Sequence, residues 1–189
     1  RHGLPEQFLL FTGGITPRKN LVRSIAAFQA IAHQIKDLYF VITGSMGWSN
    51  DEVLDLIERT PQVMRIGYVE DEDMPTLYSM ASVYIYPSLY EGFGLPILEA
   101  QACGCPVVTS NISSCPEVAG AGAMIVDPYS IEAISTGIAR ILSDDHYRAK
   151  LVENGYQNLE RFSWDKALKL ITNRASLLNH ASGTASGLS

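Results

Sequence analysis

Two stretches of the sequence hold residue types suited to a negatively charged substrate. The first is Thr12-Gly13-Gly14-Ile15-Thr16-Pro17-Arg18-Lys19-Asn20. Gly13 and Gly14 let the backbone turn tightly and let a ligand come close to it. Arg18 and Lys19 then stand at the expected opening of a helix, where cations oppose the helix dipole. An anionic ligand removes that conflict, because a phosphate gains from both the dipole and the two side chains. A solvated basic turn accounts for the same residues, and composition does not separate the two readings. The second stretch is Tyr86-Pro87-Ser88-Leu89-Tyr90-Glu91-Gly92-Phe93-Gly94-Leu95-Pro96-Ile97-Leu98-Glu99-Ala100. Gly92 and Gly94 make a pliable loop, and Pro96 suits a first helical position, where its missing N–H would find no partner anyway. The amides around Gly94, Leu95 and Ile97 would point out of that helix start as a second anion cradle. Glu91 lies in the loop before it and Glu99 one turn in. Alone, Glu99 fits dipole complementation and Glu91 a solvated turn. With the glycines and Pro96 beside them, the pair favours a functional site.

Other segments say less. Glu70-Asp71-Glu72-Asp73 reads as the acidic start of a helix, not as a metal motif. The backbone of Tyr68 and Val69 is placed to line a base pocket, which the sequence does not establish. Thr43 to Asn50 is loop-like in composition, and Trp48 reads as a lid or packing residue. Cys103-Gly104-Cys105 lacks CxxC spacing and a second pair, so these thiols read as small, buried and inert.

The elements that must position these loops alternate along the chain. Apolar runs at Phe8–Thr12, Leu38–Thr43, Val63–Val69, Val83–Pro87, Pro106–Ser110 and Ala123–Val126 read as strands. Helical periodicity covers Leu21–Ile35, Asp51–Arg59, Asp73–Ala81, Pro96–Ala102, Ser130–Leu142, Asp144–Phe162 and Ser163–Leu178. Such alternation predicts an α/β fold, a Rossmann-like parallel sheet with helices on both faces. Ligands bind such sheets at the carboxyl ends of the strands, where both chemical stretches fall.

The bulk numbers bound the function. The 189 residues allow one ordinary domain, and 47% hydrophobic content is globular. A formal net charge of −6 argues against a general nucleic-acid binder. No apolar stretch reaches the roughly 20 residues needed to cross a bilayer. Three cysteines without a signal peptide suggest a reduced, cytoplasmic protein. The start at Arg1 suggests a fragment, with one domain over residues 1–179 and a Gly/Ser/Ala-rich tail over 180–189.

Glu91-Gly92-Phe93-Gly94-Leu95-Pro96-Ile97-Leu98-Glu99-Ala100, followed by Ala102-Cys103-Gly104-Cys105-Pro106-Val107-Val108, resembles the signature of the large family-four retaining glycosyltransferases. Gly13-Gly14, Pro17-Arg18-Lys19-Asn20, Gly67-Tyr68-Val69 and Pro116-Glu117-Val118-Ala119-Gly120 match that family in order and spacing, from about Phe8 to Leu178. The resemblance implies the GT-B arrangement, two Rossmann-like domains across a cleft, of which this chain corresponds to the C-terminal, donor-binding one. The N-terminal acceptor domain is then a missing partner. It also implies roles: Arg18 and Lys19 on the donor diphosphate, assisted by amides near Gly94 and Leu95; Glu99 on the ribose; Glu91, Gly92 and Phe93 facing the sugar; and the Val69 backbone meeting the base. Gly13 and Gly14 border the same ligand. The nucleotide-sugar, of GDP-mannose or UDP-sugar type, is a substrate; no cofactor or metal is called for. Transfer for a polysaccharide is implied, with peripheral membrane contact through the full enzyme. A non-catalytic nucleotide-binding or interaction module is the alternative. A nicotinamide dinucleotide site is poorly supported, because no GxGxxG follows the first strand.

Overall fold

The structure, a computed structural model, describes residues 3–45, 47 and 51–163. Six strands form one parallel sheet: β1 (Gln7–Thr12), β2 (Leu38–Thr43), β3 (Val63–Gly67), β4 (Val83–Tyr86), β5 (Val107–Ser110) and β6 (Ala123–Val126). Their spatial order is β3-β2-β1-β4-β5-β6. The chain winds outward from β1 to β3, returns to lay β4 beside β1, and winds outward the other way. Loops following β1 and β4 therefore diverge, and the carboxyl ends of these two strands form the switch point at which such sheets seat a ligand in a crevice.

The alternation of side chains along each strand explains why both faces are covered. Leu9 and Phe11 of β1 join Phe40, Ile42, Val83 and Ile85 on one face, under α1 (Leu21–Ala32), α2 (Asp51–Arg59) and α6 (Ile131–Ser143). Phe8 and Leu10 join Val41, Tyr84, Tyr86 and Val107 on the other, under α3 (Met74–Met80), α4 (Leu95–Ala102) and α5 (Cys115–Ala119). Helix α7 (Asp145–Leu159) adds Leu151 to the first cluster. Strands buried on both sides are near-continuous apolar runs, as β1 is from Phe8 to Phe11 and β2 from Phe40 to Ile42.

Several sequence-based boundaries move. The third strand ends at Gly67, whose φ of 76° breaks the extended run, so Tyr68 and Val69 lie in the loop beyond. Helix α1 stops at Ala32, short of Ile35. Helix α5 has no counterpart in the sequence reading. Most of the helix expected over Ser163–Leu178, the tail over 180–189 and Trp48 lie outside the described residues.

Candidate functional site

Arg18, Lys19 and Glu91 meet in the crevice between β1 and β4. Lys19 Nζ lies 2.7 Å from Glu91 Oε1, and an Arg18 guanidinium nitrogen lies 2.7 Å from Oε2. Lys19 and Glu91 are nearly closed to solvent, at 6% and 8% exposure, whereas the Arg18 side chain is 46% exposed. A charge so deeply buried is kept only when paired and hydrogen-bonded. Lys19 satisfies this by also donating to the Tyr86 hydroxyl at 2.6 Å, with its ammonium 4.4 Å from the Tyr86 ring centre. Burial pushes the Lys19 ammonium below the usual lysine range, against the hydrogen bond and charge of Glu91. Burial pushes the Glu91 carboxyl up, but the hydrogen bond and charge of Lys19, with help from Ser88 and Arg18, bring it below the usual carboxylate range. The Tyr86 phenol is raised by burial and by the nearby Glu91 charge, so it stays protonated.

The position of the two cations differs from the sequence reading. They do not open α1; they sit in a one-turn 3-10 segment, Pro17–Lys19, just before it. Asn20 follows in the left-handed conformation, φ 61°, and α1 begins at Leu21. The helix dipole therefore bears on them less than expected, and their charge is offset first by Glu91. Asn20 fastens the arrangement. Its buried amide donates to the carbonyls of Pro87 (2.9 Å) and Pro128 (2.8 Å), joining the loops after β4 and β6 to the β1 loop. The Leu89 amide donates to the Arg18 carbonyl at 2.8 Å. Asn20→Ala strips two buried carbonyls of their donors and is expected to lower the melting temperature by roughly 5–10 °C. Thermal denaturation followed by circular dichroism checks this, and an unchanged midpoint would contradict the fastening role.

Glu91 is held from the other side by the loop after β5. Its amide donates to the Ser113 hydroxyl at 3.0 Å, and its carbonyl accepts from Ser113 (2.8 Å) and Ser114 (3.0 Å). The same Ser114 hydroxyl lies 2.7 Å from the Phe93 carbonyl, so its single proton is shared between the two carbonyls. Gly94 then caps α4 with φ 106°, a backbone state that suits glycine. Leu95 is the first helical residue and Pro96 the second, so the expected positions shift by one. Pro96 has no N–H and the Ile97 amide donates to the Gly94 carbonyl at 3.0 Å, so the expected cradle loses Ile97 and keeps only the amides around Gly94 and Leu95. Phe93 and Leu95 are exposed, at 44% and 55%, and Gly92 is exposed as well, so this loop presents itself to solvent beside the ion cluster.

Glu99 lies in the second turn of α4, beyond the reach of simple dipole complementation. Its Oε2 accepts a hydrogen bond from the Tyr78 hydroxyl at 2.9 Å, and Tyr78 in turn meets Thr12, the last residue of β1, at 3.1 Å. Glu99 is thus tied to the strand end from which the Gly13-Gly14 loop departs, although it does not touch the cations. Gly13 donates its amide to the Thr43 carbonyl at 3.0 Å, so that N–H belongs to the fold. Gly44 explains the close approach: a Cβ there would stand 2.1 Å from the Gly13 carbonyl oxygen. Gly14 faces Ser45 across this contact. The Val69 side chain is buried in the wall of a cavity of about 330 Å³, shared with Leu4, Asp73, Thr76, Leu77 and Met80.

Sequence reasoning missed Tyr78, Tyr86, Ser113 and Ser114. Strand alternation placed Tyr84 and Tyr86 on one face, and the rule that ligand loops follow strands also covers 111–114, so both signals were present. All three thiols are free; Cys105 and Cys115 are buried as expected, whereas Cys103, at the end of α4, is only partly buried, and burial pushes the Cys103 and Cys105 thiols up. Asp73 stands at the N-cap of α3, as the acidic run suggested. Among the described residues no helix is long and apolar enough to cross a membrane.

The chain is similar in sequence and fold to known proteins. A family model described as glycosyl transferases group 1 matches residues 2–158. The O-antigen chain mannosyltransferase B of Escherichia coli is 39% identical over 177 residues, covering 92% of this chain and 46% of that protein. The sucrose-phosphate synthase of Thermosynechococcus elongatus superposes with a TM-score of 0.79 at 26% identity, over 94% of this chain and 47% of its own. Anabaena HepE in complex with UDP and glucose has the same fold, with a TM-score of 0.77 at 21% identity over 90% of this chain and 48% of its own. The chain spans about half the length of each of these proteins.

Proposed function

This chain belongs to the glycosyl transferases group 1 family, and on that premise we propose that it is the donor-binding domain of a retaining hexosyltransferase. It binds a nucleoside-diphosphate sugar, and the intact protein passes the sugar to a hydroxyl acceptor. The observation that carries this reading is the Arg18–Glu91–Lys19 cluster in the crevice between β1 and β4.

Cleaving a sugar–diphosphate bond places negative charge on the leaving group and positive charge on the sugar. Arg18, Lys19 and the amides near Gly94 and Leu95 are preset to receive the first. Glu91, adjacent to both cations, supplies a carboxylate for an oxocarbenium-like sugar, as glycosyl chemistry requires. Glu99 takes ribose hydroxyls and the Val69 backbone meets the base. Two cations already fixed at the leaving group make the chemistry independent of a metal. The mannosyltransferase relative supports a hexose donor of the GDP-mannose class, with a UDP-sugar as the other candidate, and a polysaccharide product. The acceptor comes from an N-terminal domain, and the enzyme works in the cytoplasm or at the inner face of the membrane. The donor domain spans residues 1–179.

Calorimetric titration of this chain with GDP, UDP and ADP tests the proposal. At least one is expected to bind, more weakly as salt rises, with little transfer by the chain alone. Failure of all three to bind at millimolar concentration would overturn it.

A further inference from the structure

Glu99 is exposed on a surface helix, where a glutamate samples several rotamers unless something holds it. Beneath it lies a chain of three hydroxyls from three different elements. Tyr78 of α3 is 2% exposed, Thr12 of β1 5% and Tyr84 of β4 0%. Tyr78 Oη is 2.9 Å from Glu99 Oε2, Thr12 Oγ1 is 3.1 Å from Tyr78 Oη, and Tyr84 Oη is 2.9 Å from Thr12 Oγ1. Each hydroxyl has one proton, and an ionised carboxylate only accepts. The direction follows: Tyr84 donates to Thr12, Thr12 to Tyr78, and Tyr78 to Glu99. Burial raises both phenols above their ordinary range, so the donors keep their protons. The Tyr78 and Tyr84 rings also pack edge to face at 5.2 Å, which fixes their orientation.

We infer that Tyr78 is a positioning residue: with Thr12 and Tyr84 behind it, it holds the Glu99 carboxylate in one orientation and so sets the preference of the site for a ribose bearing free hydroxyls. One oxygen of Glu99 is fastened inward, and the other is presented to the sugar of the nucleotide. The inference rests on the donor-binding reading above. It assigns ribose selectivity to a buried side chain that need not touch the ligand.

The test is titration of wild type, Tyr78→Phe, Thr12→Val and Glu99→Gln with three probes. These are the nucleoside diphosphate that binds best among GDP, UDP and ADP, its 2′,3′-dideoxy analogue, and inorganic pyrophosphate. Wild type is expected to prefer the ribonucleotide by about ten-fold, the scale of one charged hydrogen bond. In Tyr78→Phe, which keeps the ring and its packing, that ratio falls to about two-fold or less while dideoxynucleotide and pyrophosphate affinities hold. Thr12→Val lowers the ratio part of the way, and Tyr78→Phe adds little to Glu99→Gln. A general loss of folding would weaken all three probes together, and that result, or an unchanged ratio in both Tyr78→Phe and Thr12→Val, overturns the inference. A wild type that binds dideoxy and ribo forms equally overturns it too. A wild type that binds none of the probes overturns the donor-binding reading itself.

Discussion

Lys19→Ala is expected to weaken nucleoside diphosphate binding by about ten- to a hundred-fold at neutral pH, measured by calorimetry. Two effects add. The direct one is loss of a charged donor to phosphate. The indirect one comes from Glu91, which is shared by Lys19 and Arg18. With Lys19 the cluster carries a net positive charge; without it, Arg18 and Glu91 cancel and the crevice no longer attracts an anion. Arg18→Ala removes a charge of the same sign, but from a half-exposed side chain, and should cost less. Affinity should also fall as pH rises through the pKa of Lys19, which burial holds below the usual lysine range, so the loss begins at a lower pH than an ordinary lysine would give. Equal binding by Lys19→Ala and wild type would remove the central role given to this residue.

The second large effect has the opposite sign. Glu91→Gln is expected to bind nucleoside diphosphate about ten-fold more tightly than wild type at neutral pH, while the intact enzyme carrying it loses most of its transfer. Glu91 contacts Arg18 and Lys19 at the positions that a phosphate would take. The donor must part at least one of these contacts, and a neutral glutamine lowers that barrier. The gain should shrink toward alkaline pH, because Glu91 is what supports the charged form of Lys19. Stability moves the other way. The Glu91 carboxyl is held below its ordinary range, so its pairing stabilises the fold at neutral pH and is lost as pH falls from the ordinary carboxylate value through the depressed one. Glu91→Gln should therefore melt lower at neutral pH and lose this part of its acid sensitivity. Weaker diphosphate binding by a folded Glu91→Gln variant would contradict the displacement picture.

Much of the scaffold was legible because its signals are local. Phe8-Leu9-Leu10-Phe11 is apolar at every position, which only a strand covered on both faces explains well. Once strands were assigned, the rule for carboxyl ends pointed to Gly13–Asn20 and Glu91–Glu99. Helix α5 was missed because five residues, Cys115–Ala119, are too few to show a helical period. The third strand was drawn too long because Tyr68 and Val69 continue its apolar character past Gly67, whose positive φ ends it.

The site was legible in membership and less so in arrangement. From sequence, Arg18 and Lys19 read equally as an anion-binding pair or a solvated basic turn at a helix start, and only the resemblance turns Glu91 toward a sugar. Their pairing joins Glu91 to residues 73 and 72 positions earlier and depends on β4 lying beside β1, a non-local fact of topology. The burial of Lys19 follows from that pairing, since a lysine is seldom buried without a partner. Tyr78 escaped notice for the same reason: as part of α3 it reads as core, and only the packing of α3 over the end of β1 brings its hydroxyl under Glu99.

The most direct test is a structure of this chain with the tightest-binding nucleoside diphosphate. Both phosphates are expected in the crevice between β1 and β4, within hydrogen-bond reach of Arg18, Lys19 and the amides near Gly94 and Leu95, with the Arg18–Glu91 contact opened and the ribose at Glu99. Phosphates bound elsewhere, or seated there with Glu91 still bridging both cations, would contradict the proposed site.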